Sequence, residues 1–182
     1  VGDVKIVQLN YSQYSSRYDA FKQGIVAPVF DAEKAGGALM DLNVYNIHFV
    51  TGLFGEPKAV HYYPNMERGV DTSGILVMEY PSFQCVCIAA KDCGAPLSVN
   101  IEGDKGCIFS HSNAGRFEEF SFQENKKESE HFSLIQEDGP IFYDELRAFT
   151  DYWVKDDREA FRQRLAQSLV VMKVLDQARG IK

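Results

Sequence analysis

The sequence predicts an α+β fold, a largely antiparallel, open-faced β-sheet with helices packed on one face. Two observations carry this reading. Strand-like runs crowd residues 59–135, separated by short connections that bear Pro64-Asn65, Asp71, Pro81-Ser82, Gly94, Gly103-Asp104-Lys105-Gly106 and Asn125. Parallel crossovers need roughly a dozen residues or more, so such spacing means antiparallel neighbours. Helical patterns are segregated from this run, one before it and two after it, as α+β proteins arrange them. With 182 residues, 45% of them apolar, the chain is long enough for one domain with a substantial core, residues 1–182.

Asp3 to Asn10 reads as a strand whose apolar alternation slips at Ile6-Val7, as in a bulged strand or one covered on both faces. Ser12 to Asp31 has no clean period and reads as a long excursion with a short helix around Tyr18–Gln23; excursions of this length are often functional. A helix over Gly36–Phe54 follows, stopped by Gly55 and Pro57. The strand candidates are then Ala59–Tyr63, Gly74–Tyr80, Phe83–Ala90, Leu97–Gly103, Cys107–Ser110, Phe117–Phe122 and His131–Ile135. Pro140 marks the first turn of a helix with Phe142, Leu146, Phe149 and Trp153 on one face. Asp156-Asp157-Arg158-Glu159 opens a last helix in the manner of a capping box, with Phe161, Leu165, Leu169, Met172 and Leu175 as its apolar stripe. One sheet face meets the helices, which leaves the other for solvent or a partner. Tyr62, Ile75, Val77, Phe120 and Phe122 are the outward candidates, and a homo-oligomer through that face is the expectation.

Composition excludes several classes. Nineteen basic against 26 acidic residues give a net charge of −7, and the one basic pair, Lys126-Lys127, has acidic neighbours; nucleic acid is a poor partner for such a surface. No apolar run approaches the ~20 residues of a membrane-spanning helix. The four cysteines, Cys85, Cys87, Cys93 and Cys107, have no zinc spacing with one another or with histidine. They read as reduced thiols of a cytoplasmic protein, with no metal site. No glycine-rich nucleotide loop and no nucleophile elbow is present. The chain begins at Val1 rather than Met, which reads as a piece of something longer.

The Gly36–Phe54 segment is the most informative. Its circumference is mostly apolar, yet Asp41, Tyr45 and His48 follow an i, i+4, i+7 spacing. At ~100° per residue they fall within ~60° of one another on a regular helix. Ala38 and Gly52 lie on the same stripe and leave room for a ligand to approach. A carboxylate and a phenol on an apolar helix cost stability unless they are paired or used. His48 is therefore a candidate substrate contact, and Arg17 and Tyr18 in the long excursion are weaker ones. His61, His111 and His131 are scattered and read as surface residues.

Gly36-Gly37-Ala38-Leu39-Met40-Asp41-Leu42-Asn43-Val44-Tyr45, followed by Leu53-Phe54-Gly55-Glu56-Pro57, resembles a motif of the Gfo/Idh/MocA oxidoreductases. That motif runs roughly Gly-Gly-Gly-x-Leu-x-Asp-Ile-Gly-Val-His/Tyr before a helix stop. The opening Val1-Gly2-Asp3-Val4 and the closing Ala178-Arg179-Gly180-Ile181 are similar to the ends of the family's C-terminal domain. Two departures stand out. Asn43 replaces a usual glycine, which puts close backbone packing behind the helix in question, and two glycines stand where three are common.

The resemblance implies a substrate-binding and oligomerisation domain. NAD or NADP would be bound by an N-terminal Rossmann domain outside these residues, so the isolated chain is expected to be inactive. It implies Asp41 and Tyr45 as catalytic residues, with Tyr45 as the acid/base and Asp41 accepting a substrate hydroxyl and holding the other domain's catalytic lysine. A phenol titrates near ~10, and a neighbouring ammonium lowers that value. A tyrosine at this position points to the sugar and dihydrodiol branch, with a sugar, polyol or related alcohol or carbonyl as the small-molecule substrate. The competing expectations are a non-catalytic ligand-binding or regulatory protein of the same fold, and a free-standing dimerisation module.

Overall fold

The structure is a computed structural model that describes residues 1–134 and 142–181. Eight strands form one sheet in the order β2-β3-β4-β1-β5-β6-β7-β8. Strands β1 (Val4–Ser12), β2 (Ala59–Glu67), β3 (Val70–Glu79) and β4 (Gln84–Ala90) make one half. Strands β5 (Ser98–Gly103), β6 (Gly106–Ser110), β7 (Glu119–Glu124) and β8 (Ser129–Ser133) make the other. Every neighbouring pair is antiparallel except β1 and β4, which run parallel at the centre. Helices α1 (Tyr18–Lys22), α2 (Val44–Phe54), α3 (Tyr143–Val154) and α4 (Arg158–Ala178) are the α-helices among the described residues, with short 3-10 turns at Pro28–Phe30 and Ala32–Lys34. The α+β expectation holds. Pro140 and Ile135, expected at a helix start and a strand end, lie outside the described residues.

Residues directly opposite one another in register share a face, and this sorts the sheet. One row runs Val60, Met78, Cys85, Val7, Ile101, Ile108, Phe122 across β2, β3, β4, β1, β5, β6 and β7. Met78, Cys85 and Val7 are fully buried, with Ile47 and Val50 of α2 and Val171, Val174 and Leu175 of α4 in the same core. This is the helix-covered face. On the other, Tyr63, Ile75 and Ile88 form one row and Val77 and Val86 belong to the next. Ile75 and Tyr63 there are exposed.

Four expectations are corrected. Tyr62 faces inward against the core, because it lies opposite the buried Leu76. Phe122 faces inward too, and Phe120, two residues along the strand, shares its side. Pro64-Asn65 is no turn: β2 runs through it to Glu67. A proline costs nothing on an edge strand, where its missing N–H has no partner to lose. The reversal comes at Arg68-Gly69, both at positive φ, the pattern of a tight hairpin turn. The slip read at Ile6-Val7 agrees with its bulge reading: the register shifts between Val4 and Ile6, after which Val7 and Leu9 point inward.

The last two helices pack less than their periodicity implied. Leu146, Phe149 and Trp153 of α3, and Phe161, Leu165, Leu169 and Met172 of α4, are all exposed. No described residue of α3 is buried. Only the C-terminal part of α4, through Val171, Val174 and Leu175, joins the core. Two aromatic stripes meet each other instead, with Phe149 and Phe161 centroids 6.1 Å apart.

The segment before α2 is held by close backbone approaches. A Cβ at Gly36 would lie 2.6 Å from Asp31 N and 2.7 Å from Pro28 O. Gly37 sits at φ +111°, where a Cβ would collide with the Asp71 carboxylate. The Gly37→Ala variant combines a left-handed conformation with that collision. It should lose roughly 2 kcal/mol or more of unfolding free energy. Gly69→Asn, at φ +82° with open space around it, should lose less than about 1 kcal/mol. Urea unfolding followed by circular dichroism separates the two, and equal losses would show that crowding at Gly37 is unimportant.

Candidate active site

The expected regular helix over residues 36–54 begins later, and not as an α-helix. Leu39–Asn43 is a π-helical turn, and α2 continues from it. Such turns insert a residue into a helix and recur at functional sites. The start is set by Asp71 of β3: its Oδ2 accepts the Leu39 N–H at 2.7 Å and the Tyr62 hydroxyl at 2.6 Å. Burial, followed by the hydrogen bond to Asp71, pushes the Tyr62 phenol well above its ordinary range. Asp71 was expected in a short connection between strands. It reaches across the sheet face to the helix because β3 extends further back than its sequence pattern indicated.

The wide turn seats the helix on β4 through two amides. Asn43 Nδ2 donates to Cys87 O at 3.2 Å, and Asn46 Nδ2 donates to Asn43 Oδ1 at 2.9 Å and to Ile88 O at 3.2 Å. Both side chains are essentially inaccessible, so each buried amide depends on these bonds. The asparagine that replaces the motif's glycine is therefore a spacer bonded to the sheet.

Asp41 and Tyr45 come out on one side, near Tyr11 of β1. The Tyr11 and Tyr45 rings lie 6.0 Å apart, inclined at 47°. Burial, then the neighbouring Tyr45 and Asp41 charges, raise the Tyr11 phenol above its ordinary value. Tyr45 is 47% exposed, so its ring is available to a ligand, and Gly115 lies against it. Asp41 is paired within this chain, to a lysine absent from the sequence reading: Lys91 Nζ stands 2.7 Å from Asp41 Oδ2. The ammonium also donates to Val29 O at 2.5 Å and lies 4.6 Å from the Phe30 ring centroid. A sequence signal for Lys91 exists. It continues the alternation Cys85, Cys87, Ala89 along the buried face of β4, where a lysine needs a partner.

The other candidates stand apart from that cluster. His48 faces a cavity of about 460 Å³ between α2 and the last two helices, lined also by Glu145, Phe149, Tyr152, Arg164 and Gln167. Tyr18 donates its hydroxyl to Glu67 Oε2 at 2.8 Å, a bond that raises its phenol to about 12. Its ring packs with Phe21 and Phe30 in a satellite core. Arg17 is exposed just ahead of α1, with Ser16 Oγ 3.5 Å from its guanidinium. Among the described residues no group of three or more His, Cys, Asp or Glu side chains is placed to hold a metal ion. No helix among them is long and apolar enough to cross a membrane.

Comparison with known proteins matches residues 1–109 to the family described as GFO/IDH/MocA C-terminal domain. The chain is 30% identical over 182 residues to scyllo-inositol 2-dehydrogenase (NADP(+)) IolU of Bacillus subtilis (strain 168), covering 98% of this chain and 54% of that protein. It is 34% identical over 109 residues to YgjR, an uncharacterized oxidoreductase of Escherichia coli (strain K12), covering 59% of this chain and 33% of that one. Among solved structures, KijD10, a 3-ketoreductase from Actinomadura kijaniata in complex with NADP, superposes with a TM-score of 0.69 at 16% identity, over 99% of this chain and 52% of its own. The chain thus spans about half, or less, of the proteins it matches.

Burial pulls the His48 pKa below its ordinary value. Below about pH 6.5 the unfolded chain therefore binds a proton at this residue that the folded chain resists. Stability should fall as pH drops through this window and recover above it. The His48→Gln variant should flatten that slope between about pH 5 and 7 in urea unfolding. An unchanged slope would show that other groups set it.

Proposed function

The chain belongs to the GFO/IDH/MocA family as a C-terminal domain, and on that premise we propose that it is the substrate side of an NADP-dependent oxidoreductase. The substrate class is a secondary alcohol, or the matching ketone, on a polyol or sugar. The observation that supports this most is the half-exposed Tyr45 ring beside Tyr11 and Asp41, on a helix that sends Asn46, Ile47, Val50 and Thr51 into the core. NADP rather than NAD is favoured by the names of IolU and of the KijD10 complex.

Oxidising a carbinol removes a hydride from carbon and a proton from oxygen. The nicotinamide, held by residues outside this chain, supplies the hydride acceptor. This chain's residues handle the oxygen. In the oxidative direction the phenolate form of Tyr45 takes the hydroxyl proton, and in reduction its phenol returns a proton to the forming alkoxide. Asp41 accepts a hydrogen bond from a substrate hydroxyl and fixes its orientation. Tyr11 supplies a second ring against the substrate. The 182 residues alone should not turn over.

The proposal extends to assembly. Ile75 and Tyr63 are exposed on the uncovered sheet face, with Val77, Val86 and Ile88 half-buried beside them. A second copy packed there buries this patch. A cytoplasmic setting fits the four free cysteines, of which Cys85 and Cys87 are buried.

The full-length protein should reduce NADP+ with at least one of scyllo-inositol, myo-inositol or glucose. Tyr45→Phe should lower kcat by roughly 10²-fold or more with KM changed little. Asp41→Asn should lower kcat by at least about 10-fold. Wild-type rates in both variants would remove these residues from the mechanism and favour a ligand-binding or dimerisation role for the fold.

A further inference from the structure

The geometry points to Lys91 as a positioning residue for the reaction, one that acts only through Asp41. This inference rests on the oxidoreductase reading and adds to it a second functional group from this chain. Lys91 is 2% exposed. An ammonium buried so completely costs several kcal/mol in desolvation unless every direction is occupied. Here two acceptors and an aromatic face offset that cost: Val29 O at 2.5 Å, Asp41 Oδ2 at 2.7 Å, and the Phe30 ring at 4.6 Å. Two of the three ammonium N–H groups are taken by acceptors, and at this depth the ammonium has no open face for a substrate.

Its partner is different. The Asp41 side chain is 40% exposed and spends one oxygen on the ammonium. Its other oxygen makes no hydrogen bond to a described residue and remains for a ligand hydroxyl. The mount is rigid. The Lys91 N–H donates to Thr72 O at 2.8 Å, and Lys91 O accepts the Ser15 N–H at 2.9 Å. The lysine backbone is thus tied to β3 on one side and to the extension of β1 on the other.

The arrangement fixes a carboxylate rotamer from below. A carboxylate on a wide helical turn swings freely unless something holds it, and small misplacements of a reacting group cost large factors in rate. A purely structural pair makes a different forecast. Replacing a buried ion-pair lysine with an apolar side chain of similar length is often close to neutral when the freed carboxylate can rehydrate, as Asp41 can. Stability and turnover therefore separate the two roles.

The test is a double-mutant cycle in the full-length protein. Wild type, Lys91→Met, Asp41→Asn and the double variant are assayed with NADP+ and whichever of scyllo-inositol, myo-inositol or glucose the wild type oxidises fastest. Lys91→Met should lower kcat about 10- to 100-fold, with KM within about threefold and NADP+ affinity unchanged. On the Asp41→Asn background the same substitution should cost less than about twofold, since nothing remains to position. The inference is overturned if Lys91→Met keeps kcat within twofold, or if its loss persists undiminished beside Asp41→Asn. Should Lys91→Met not fold, Lys91→Arg takes its place under the same two criteria, because the bulkier guanidinium displaces the carboxylate. If Asp41→Asn costs turnover and the lysine variants do not, only this inference falls. If Asp41→Asn costs nothing, or the wild type oxidises none of the three, the oxidoreductase reading falls and takes this inference with it.

Discussion

The carboxylate of Asp71 decides where the functional helix begins, and the rest of the site follows from that point. It accepts the backbone N–H of Leu39 and the hydroxyl of Tyr62, at the end of the helix where peptide dipoles favour negative charge. Two glycines precede Leu39 because backbone and carboxylate already fill the space that side chains would need. With the start pinned, a single π-helical turn carries Asp41 over Lys91 while Asn43 and Asn46 settle onto the carbonyls of β4. Shifting the start by one residue would strand two buried amides and part an ion pair.

Three roles of the motif are thereby distinguished. The glycines make room, the asparagines hold the helix to the sheet, and Asp41 with Tyr45 faces outward. The buried residues are fixed by the need to satisfy polar groups away from water, and Asp41 shares that need through the buried Lys91 ammonium, whereas Tyr45 is under no such constraint. That contrast is the physical ground for reading Tyr45 functionally: its 47% exposure is not needed for the fold.

Much of this was legible in the sequence, and what was not has a common cause. Short turns gave the antiparallel meanders, and the strand positions at β1, β4, β5 and β6 fall within two residues of their patterns. The stripe containing Asp41 and Tyr45 was visible from spacing, although a regular wheel misdescribes it because the turn beneath Asp41 is wide. The missed features are pairings between distant segments. Lys91 finds Asp41 fifty residues away, and Asp71 finds Leu39 across thirty-two; neither partner is named by its local sequence. Pro64 misled for a related reason, since whether proline breaks a strand depends on whether that strand lies at an edge. In the last two helices periodicity located the apolar faces correctly but does not say what those faces meet, and Leu146, Trp153 and Leu165 meet solvent.

The central position of β1 carries a consequence for how the chain reaches this state. The strands β2 to β4 and β5 to β8 each pair with sequence neighbours, so both sets close through small loops. The first strand is the exception. It lies between them, paired to residues 84–90 on one side and 98–103 on the other. Joining these partners closes the largest loops in the sheet, the step that costs most chain entropy and does most to slow folding. Until β4 and β5 exist as chain, β1 lacks both of its partners in this sheet. The segment that unites the two halves of the sheet is the one that must wait longest for its neighbours.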